Sequence, residues 1–184
     1  MLYSIIMAVS LDGGIGYDNT IPWNIREEIK LFRRITMGDI HHIKMNAIIM
    51  GRNTWESLPN KPLQNRLNIV ITSDKFFPKY DNLISFDNLE DALDYCETNI
   101  YIREVFVIGG KKLFDTCLYN EKFSKDIDKI YLSIIYKNYK SNIFMNLKHI
   151  LLNYSPDINN TKFNSEYLFL EMKKKEIKKE IKND

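Results

Sequence analysis

The chain has 184 residues, 45% hydrophobic and 27% charged, with a net charge of +2; this suits one soluble domain with a real core and gives no footing for nucleic acid. Its two cysteines, Cys96 and Cys117, stand in no CxxC or zinc spacing, which points to a reducing, cytoplasmic setting and to no metal. The opening MLYSIIMAVSLDGGIG has neither the basic start nor the apolar length of a signal peptide or a membrane span.

Leu2–Leu11 reads as a buried first strand ending in the turn signal Asp12-Gly13-Gly14. Ile15-Gly16 and the polar loop Tyr17-Asp18-Asn19-Thr20 then lead to Ile21-Pro22-Trp23. This glycine-spaced connection is placed to cover a site beside the strand and the helix that follows. In that helix stretch, TIPWNIREEIKLFRRIT, Asn24 is placed to cap and Glu27 to reach back to it, a capping box. Pro22 keeps the approach extended. At about 100° per residue, Ile25, Ile29, Leu31, Phe32 and Ile35 share one arc, and Arg26, Glu27, Lys30, Arg33 and Arg34 the other. Glu28 falls in the middle of the apolar arc, where an unpaired charge is costly. Either the arc faces a wet groove and Glu28 snorkels into solvent, or Glu28 is a cleft acid that a ligand meets.

Met37–Asn46 reads as a polar connector, whose adjacent His41 and His42 cannot easily share a metal and form a surface pair. The short strand Ala47–Met50 runs into Gly51-Arg52-Asn53-Thr54 and a helix expected over Thr54–Leu58. Amides at a helix start favour an anion, and Arg52 adds a forked donor; an ordinary turn with a surface arginine accounts for the same residues. An irregular loop, Pro59–Arg66, precedes a strand at Leu67–Thr72, with Arg66 at the junction able to fork onto a carboxylate. Ser73-Asp74-Lys75 closes that strand with a hydroxyl and a cation. Leu83–Ser85 is a further strand. Asn88–Cys96 is a helix with Asn88 as its cap, Asp91 at N3, and Leu89, Ala92, Leu93 and Cys96 toward the core.

Strand Val105–Ile108 runs straight into Gly109-Gly110 and a helix at Lys111–Leu118. Paired glycines let backbone amides approach a pyrophosphate, and Lys111 and Lys112 add attraction. The GxGxxG fingerprint is absent, which weakens a conventional Rossmann reading. Lys129–Ile135 is a strand containing Ser133, Asn142–Leu147 is irregular, and Ser165–Met172 alternates as a final strand, suggesting an antiparallel edge hairpin. The lysines of MKKKEIKKEIKND are interrupted by glutamates and read as a solvated helical or frayed tail. The whole describes an α/β domain over 1–172, a mostly parallel central sheet flanked by helices, and a lysine-rich tail over 173–184. Ligands are expected at the carboxyl ends of the strands, an acid on one side and phosphate donors on the other.

The ordered segments AVSLDGGIG, IPWNIREEIKLF, IIMGRNTWESLP, KPLQNRLNIVIT and VFVIGG resemble the dihydrofolate reductase family, with matches from Leu2 to Ser133. MGRxTWxS and VxxIGG are specific in combination, and PW…E…F resembles the family's substrate helix. Beyond Thr161 only the strand pattern matches. The resemblance implies NADPH-dependent reduction of dihydrofolate to tetrahydrofolate by a cytoplasmic monomer, and leaves room for association with a separate thymidylate synthase.

By the same resemblance, Glu28 accepts from the pterin amino and ring N–H groups, and Glu28, Trp23 and Ser133 organise the water and ring tautomer of the catalytic step. Ile6, Ala8, Ile29, Phe32, Leu58, Leu63 and Ile108 line the apolar pocket. Asn60 and Arg66 hold the folate tail, Arg66 on its α-carboxylate. Ala8 with Gly14, Ile15, Gly16, Tyr17, Asp18, Asn19 and Thr20 covers nicotinamide and ribose. Arg52, Asn53 and Thr54 meet the phosphates, and Ser73, Asp74 and Lys75 flank the adenosine end. Gly109, Gly110, Lys111, Lys112, Leu113, Phe114, Asp115 and Thr116 carry the pyrophosphate turn and helix. Arg52 with Ser73 is expected to select NADPH over NADH.

There are departures. Phe114 stands where the family commonly has Tyr, which implies a slower, working enzyme. Asn142-Ile143-Phe144-Met145-Asn146 replaces an Asp-Thr-x-Phe-Pro-like segment, Ser133 replaces Thr and keeps the hydroxyl, and Glu28 in place of Asp is a variant within the family. Two other readings compete: a pterin- or pyrimidine-type reductase, whose relatives lack PW…E…F, and an idle nucleotide-binding domain, supported only by Phe114 and the Asn142–Asn146 segment.

Overall fold

Alternation along the first strand sets up the two faces of the molecule. In the computed structural model, which describes residues 1–78 and 80–175, the elements in chain order are β1 (Tyr3–Ser10), β2 (Gly14–Gly16), α1 (Arg26–Met37), β3 (Met45–Gly51), α2 (Arg52–Ser57), β4 (Arg66–Ile71), β5 (Leu83–Phe86) and α3 (Leu89–Thr98). There follow β6 (Ile102–Gly109), α4 (Lys111–Tyr119), α5 (Glu121–Ser124), β7 (Ile127–Ile135), β8 (Ile143–Phe144), α6 (Leu147–Asn153), β9 (Tyr154–Pro156), β10 (Lys162–Phe163) and β11 (Tyr167–Lys174). The main sheet runs β10-β11-β7-β1-β6-β3-β4-β5, with β9 also paired to β11. Pairings from β7 through β5 are parallel, whereas β11 lies antiparallel on β7 and both β9 and β10 lie antiparallel on β11. The mostly parallel sheet and its antiparallel edge are as expected.

Successive β1 side chains point to opposite faces. Ile5, Met7 and Val9 join Ile49, Ile69, Val107, Ile130 and Leu132 under α3 and α4, which contribute Leu93, Cys96, Leu113 and Cys117. On the other face, Ile6, Ile48, Met50, Val70 and Phe106 pack with Trp55 of α2, and Leu31 of α1 packs with Trp23, Ile25 and Ile135. A parallel sheet covered on both faces explains why its strands read as continuous apolar runs. Burial pushes both cysteine thiols up to about 12, so neither ionises at neutral pH. Among the described residues, no helix is long and apolar enough to cross a membrane.

Some local expectations fail. The capping box does not form: α1 starts at Arg26 with Ile25 as its cap and no side-chain cap bond. Trp23 and Ile25 are both buried with Asn24 exposed between them, an alternation that keeps this stretch extended. Glu27 instead accepts from Lys30 at 2.7 Å. Ile29, expected on the core arc, is 52% exposed, and Thr36 takes a buried place on the helix. The α2 helix opens at Arg52 rather than Thr54 and ends at Ser57. Within the irregular Asn142–Leu147 stretch, β8 pairs with β2 as a separate ribbon. The Asn88 cap on α3 holds, its side chain accepting from the Asp91 amide. His41 and His42 are exposed. The last strand extends to Lys174, and the tail from 176 onward lies outside the described residues.

Candidate active site

The carboxyl ends of β1, β3, β4 and β6 open into a cleft of about 1760 Å³, walled by α1 on one side and the starts of α2 and α4 on the other. A pocket for one drug-sized ligand spans about 300–1,000 Å³, so this cleft has room for two molecules side by side.

On the α1 wall, Glu28 lines the cleft and is half-buried. Burial pushes its carboxyl above the usual carboxylate range, and the hydroxyl of Ser133, as hydrogen-bond partner, pulls the other way. Ser133 is buried on β7, paired with Ala8 of β1 and Phe169 of β11. Strand parity puts it on the α1 face, between Tyr131 and Ile135. Trp23 lies beside the same cleft with its ring 5.6 Å from that of Tyr139, and its buried Nε1 has no hydrogen-bond partner among the described residues. Glu28 therefore does not snorkel away: it stands where an apolar wall meets two polar groups.

Further along α1 the cleft turns cationic. Arg66, 4% exposed, donates through Nη1 to Thr36 Oγ1 at 2.7 Å and through Nε to the Gln64 carbonyl at 3.1 Å. The Thr36 carbonyl accepts from Asn46 Nδ2 at 3.1 Å, and Asn46 Oδ1 accepts from Arg103 Nε at 3.1 Å. Burial, with Arg33 beside it, lowers the Arg66 guanidinium to about 10, which leaves it charged at neutral pH. It has no acidic partner among the described residues. Between Glu28 and Thr36 the helix rises about 12 Å, so α1 separates an acid from a buried cation by a fixed distance, with Ile29 and Phe32 between them.

The opposite wall is built for close backbone approach. Gly109 has φ +107, in the left-handed region, and a Cβ there would sit 2.8 Å from Phe114 Cε2. A Cβ on Gly110 would sit 3.2 Å from Thr54 Oγ1. Gly110, Lys111, Lys112, Thr54 and Arg52 all line the cleft, so two ammonium groups, a guanidinium and a helix start face one space, a donor set that fits the several phosphates of a dinucleotide. Gly109→Ala is expected to destabilise the fold by about 2–5 kcal/mol, read by chemical denaturation.

The cover is a hairpin. Tyr17 and Thr20 exchange backbone hydrogen bonds of 2.9 Å each way. Between them Asp18 and Asn19 have φ 46 and 64, the conformation of a tight two-residue turn. Asn142 fastens it, donating from Nδ2 to Asp18 Oδ1 at 2.9 Å and from its backbone N–H to the Gly16 carbonyl at 3.0 Å. Lys140 lies 4.5 Å over the Tyr17 ring.

Of the residues singled out in the sequence, Ile6, Ala8, Trp23, Glu28, Ile29, Phe32, Leu58, Asn60, Leu63, Arg66 and Ile108 line the cleft. So do Ile15, Gly16, Asn19, Thr20, Arg52, Asn53, Thr54, Gly110, Lys111, Lys112, Leu113, Phe114 and Thr116. Gly14, Tyr17, Asp18, Ser73, Asp74, Lys75, Gly109, Asp115 and Ser133 are not in its lining; of these, Ser133 stands behind Glu28, Gly109 under Phe114, and Asp74 beside Arg52 at 3.1 Å. Thr36, Asn46 and Asn142 were not expected. Their partners lie far off in sequence, and only Asn142 carried a signal, as a departure from the family pattern.

The comparisons with known proteins agree with this architecture. A family model described as Dihydrofolate reductase matches residues 2–174. The chain is 36% identical over 144 residues to a bifunctional dihydrofolate reductase-thymidylate synthase of Paramecium tetraurelia, covering 78% of this chain and 28% of that protein. It is 33% identical over 156 residues to a dihydrofolate reductase of Pneumocystis carinii, covering 79% of this chain and 74% of that one. It is 30% identical over 168 residues to a putative dihydrofolate reductase of Caenorhabditis elegans, covering 89% and 86%. The chain thus spans about a quarter of the bifunctional Paramecium protein and most of the other two. With the sheet, the acid on α1 and the glycine-backed cationic wall in place, the match along nearly its whole length makes the chain an enzyme of the dihydrofolate reductase family.

Proposed function

We propose that this chain reduces dihydrofolate to tetrahydrofolate with NADPH, and the observation that carries the reading is Glu28, a half-buried acid against Ser133 in a two-ligand cleft. Bound NADPH would supply the hydride to a ring carbon, and the adjacent ring nitrogen takes its proton through water. Glu28, once ionised, accepts two charge-assisted hydrogen bonds from the pterin amino and ring N–H groups, which offset the desolvation that raises its pKa. The Ser133 hydroxyl keeps the carboxyl oriented, and Trp23 Nε1 is a donor available to the water and substrate side of the cleft. Ile29 and Phe32 give the substrate's middle an apolar wall, and Arg66 takes its α-carboxylate, held in aim by Thr36 and the Gln64 carbonyl. Lys111, Lys112 and the Gly110 backbone hold the cofactor's pyrophosphate, and Arg52 with Ser73 takes its ribose phosphate, while the Tyr17–Thr20 hairpin excludes water. A monomer acting in the cytoplasm, alongside a separate thymidylate synthase, completes the reading.

The test is NADPH oxidation strictly dependent on dihydrofolate, with tetrahydrofolate identified as product and methotrexate as a competitor against substrate. Turnover with a pyrimidine or an unconjugated pterin, and none with dihydrofolate, would reject the assignment.

A further inference from the structure

The guanidinium offered to the cofactor's phosphates is already engaged. Arg52 donates through Nε to Glu56 Oε1 at 2.6 Å and through Nη1 to Asp74 Oδ2 at 3.1 Å. Asp74 is itself fixed: its Oδ1 accepts from the Phe76 amide at 2.9 Å, and its own amide donates to Thr72 Oγ1 at 3.2 Å. Glu56 hangs from α2 and is 47% exposed, whereas Asp74 is 29% exposed. One guanidinium between two carboxylates is a net negative triad. Lys61, on the same wall, is turned to the Trp55 and Glu56 carbonyls at 3.1 and 2.9 Å and does not redress it.

A nicotinamide dinucleotide carrying a 2′-phosphate is recognised by a cation at the ribose, and one lacking it by an acid. We propose that Asp74 is a specificity-determining residue that acts through Arg52. By holding the guanidinium and adding a fixed negative charge, it lowers the advantage of a 2′-phosphorylated cofactor, so the enzyme discriminates weakly between NADPH and NADH. The inference rests on the dinucleotide reading above. It also assigns the two acids different parts: the exposed Glu56 swings aside on a phosphate's arrival, while Asp74 stays in its turn.

Calorimetric binding of 2′,5′-ADP and of 5′-AMP to the full chain tests this without turnover. In Asp74→Asn the Kd for 2′,5′-ADP should fall about 3- to 10-fold while that for 5′-AMP holds. The gain should shrink as salt is raised, and Asp74→Glu, which keeps the charge, should leave the ratio near that of the unmodified chain. Glu56→Gln, which leaves the Asp74 turn intact, should shift the ratio the same way by less. An unchanged or weakened 2′,5′-ADP affinity in Asp74→Asn overturns the proposal, whatever Glu56→Gln does, as does a loss of both nucleotides together, which would mark Asp74 as merely structural. Those outcomes leave dihydrofolate turnover by the unmodified chain to stand or fall separately; failure of the unmodified chain to bind either nucleotide would remove both readings.

Discussion

Glu28→Gln should lose about 10²- to 10⁴-fold in kcat/KM for dihydrofolate at neutral pH and yet melt at a higher temperature than the unmodified chain. Both effects come from the same burial. The folded carboxyl has a raised pKa because desolvation outweighs the Ser133 hydrogen bond. As pH rises, the unfolded chain releases this proton first, so the contribution to stability is fully present below the unfolded carboxyl value. It is lost as pH climbs through the raised folded value. Glutamine never ionises and escapes that loss. Melting curves without ligand should therefore coincide in acid and separate as pH approaches neutrality, with the variant higher. NADPH affinity should hold, because the proposed partner of Glu28 is the substrate. A variant with near-normal kcat/KM would remove Glu28 from the chemistry.

The second large effect concerns Arg66. Removing one partner of a buried charge-assisted pair costs about 2–5 kcal/mol, so Arg66→Leu should raise KM for dihydrofolate by about 30- to 4,000-fold with much less change in kcat. A dihydropteroate lacking the glutamate carboxylates should bind the variant and the unmodified chain alike, and that comparison separates a lost carboxylate contact from a disturbed pocket. Stability should change little: leucine removes an unpaired buried guanidinium, a costly group, while leaving Thr36 Oγ1 and the Gln64 carbonyl without its donors.

Much of this was legible in the sequence because the signals were local. Buried parallel strands announce themselves as apolar runs, and the Gly109-Gly110 junction and Asn88 cap sit at the expected element boundaries. Glu28 stood out because one residue broke a helical arc. The α1 capping box failed because burial of Trp23 and Ile25 outweighed a side-chain cap worth about 1 kcal/mol. The ribbon of β2 and β8 involves elements of three and two residues, too short for periodicity to register. The engagement of Arg52 by Asp74, and of Arg66 by Thr36, joins positions 22 and 30 apart. Pairings of that span are set by the sheet order, which residue spacing alone does not encode.

The fastening of the cover hairpin by Asn142 reaches further than its few bonds suggest. Asp18 and Asn142 are 124 positions apart, so the flap is anchored through two residues that stand outside the cleft lining, next to Ile143, which is part of it. Substitutions there are expected to change how readily the cover opens while leaving the acid wall of the cleft in place. The fastening of the cover and the acid of the cleft thus sit on different parts of the chain, free to drift independently.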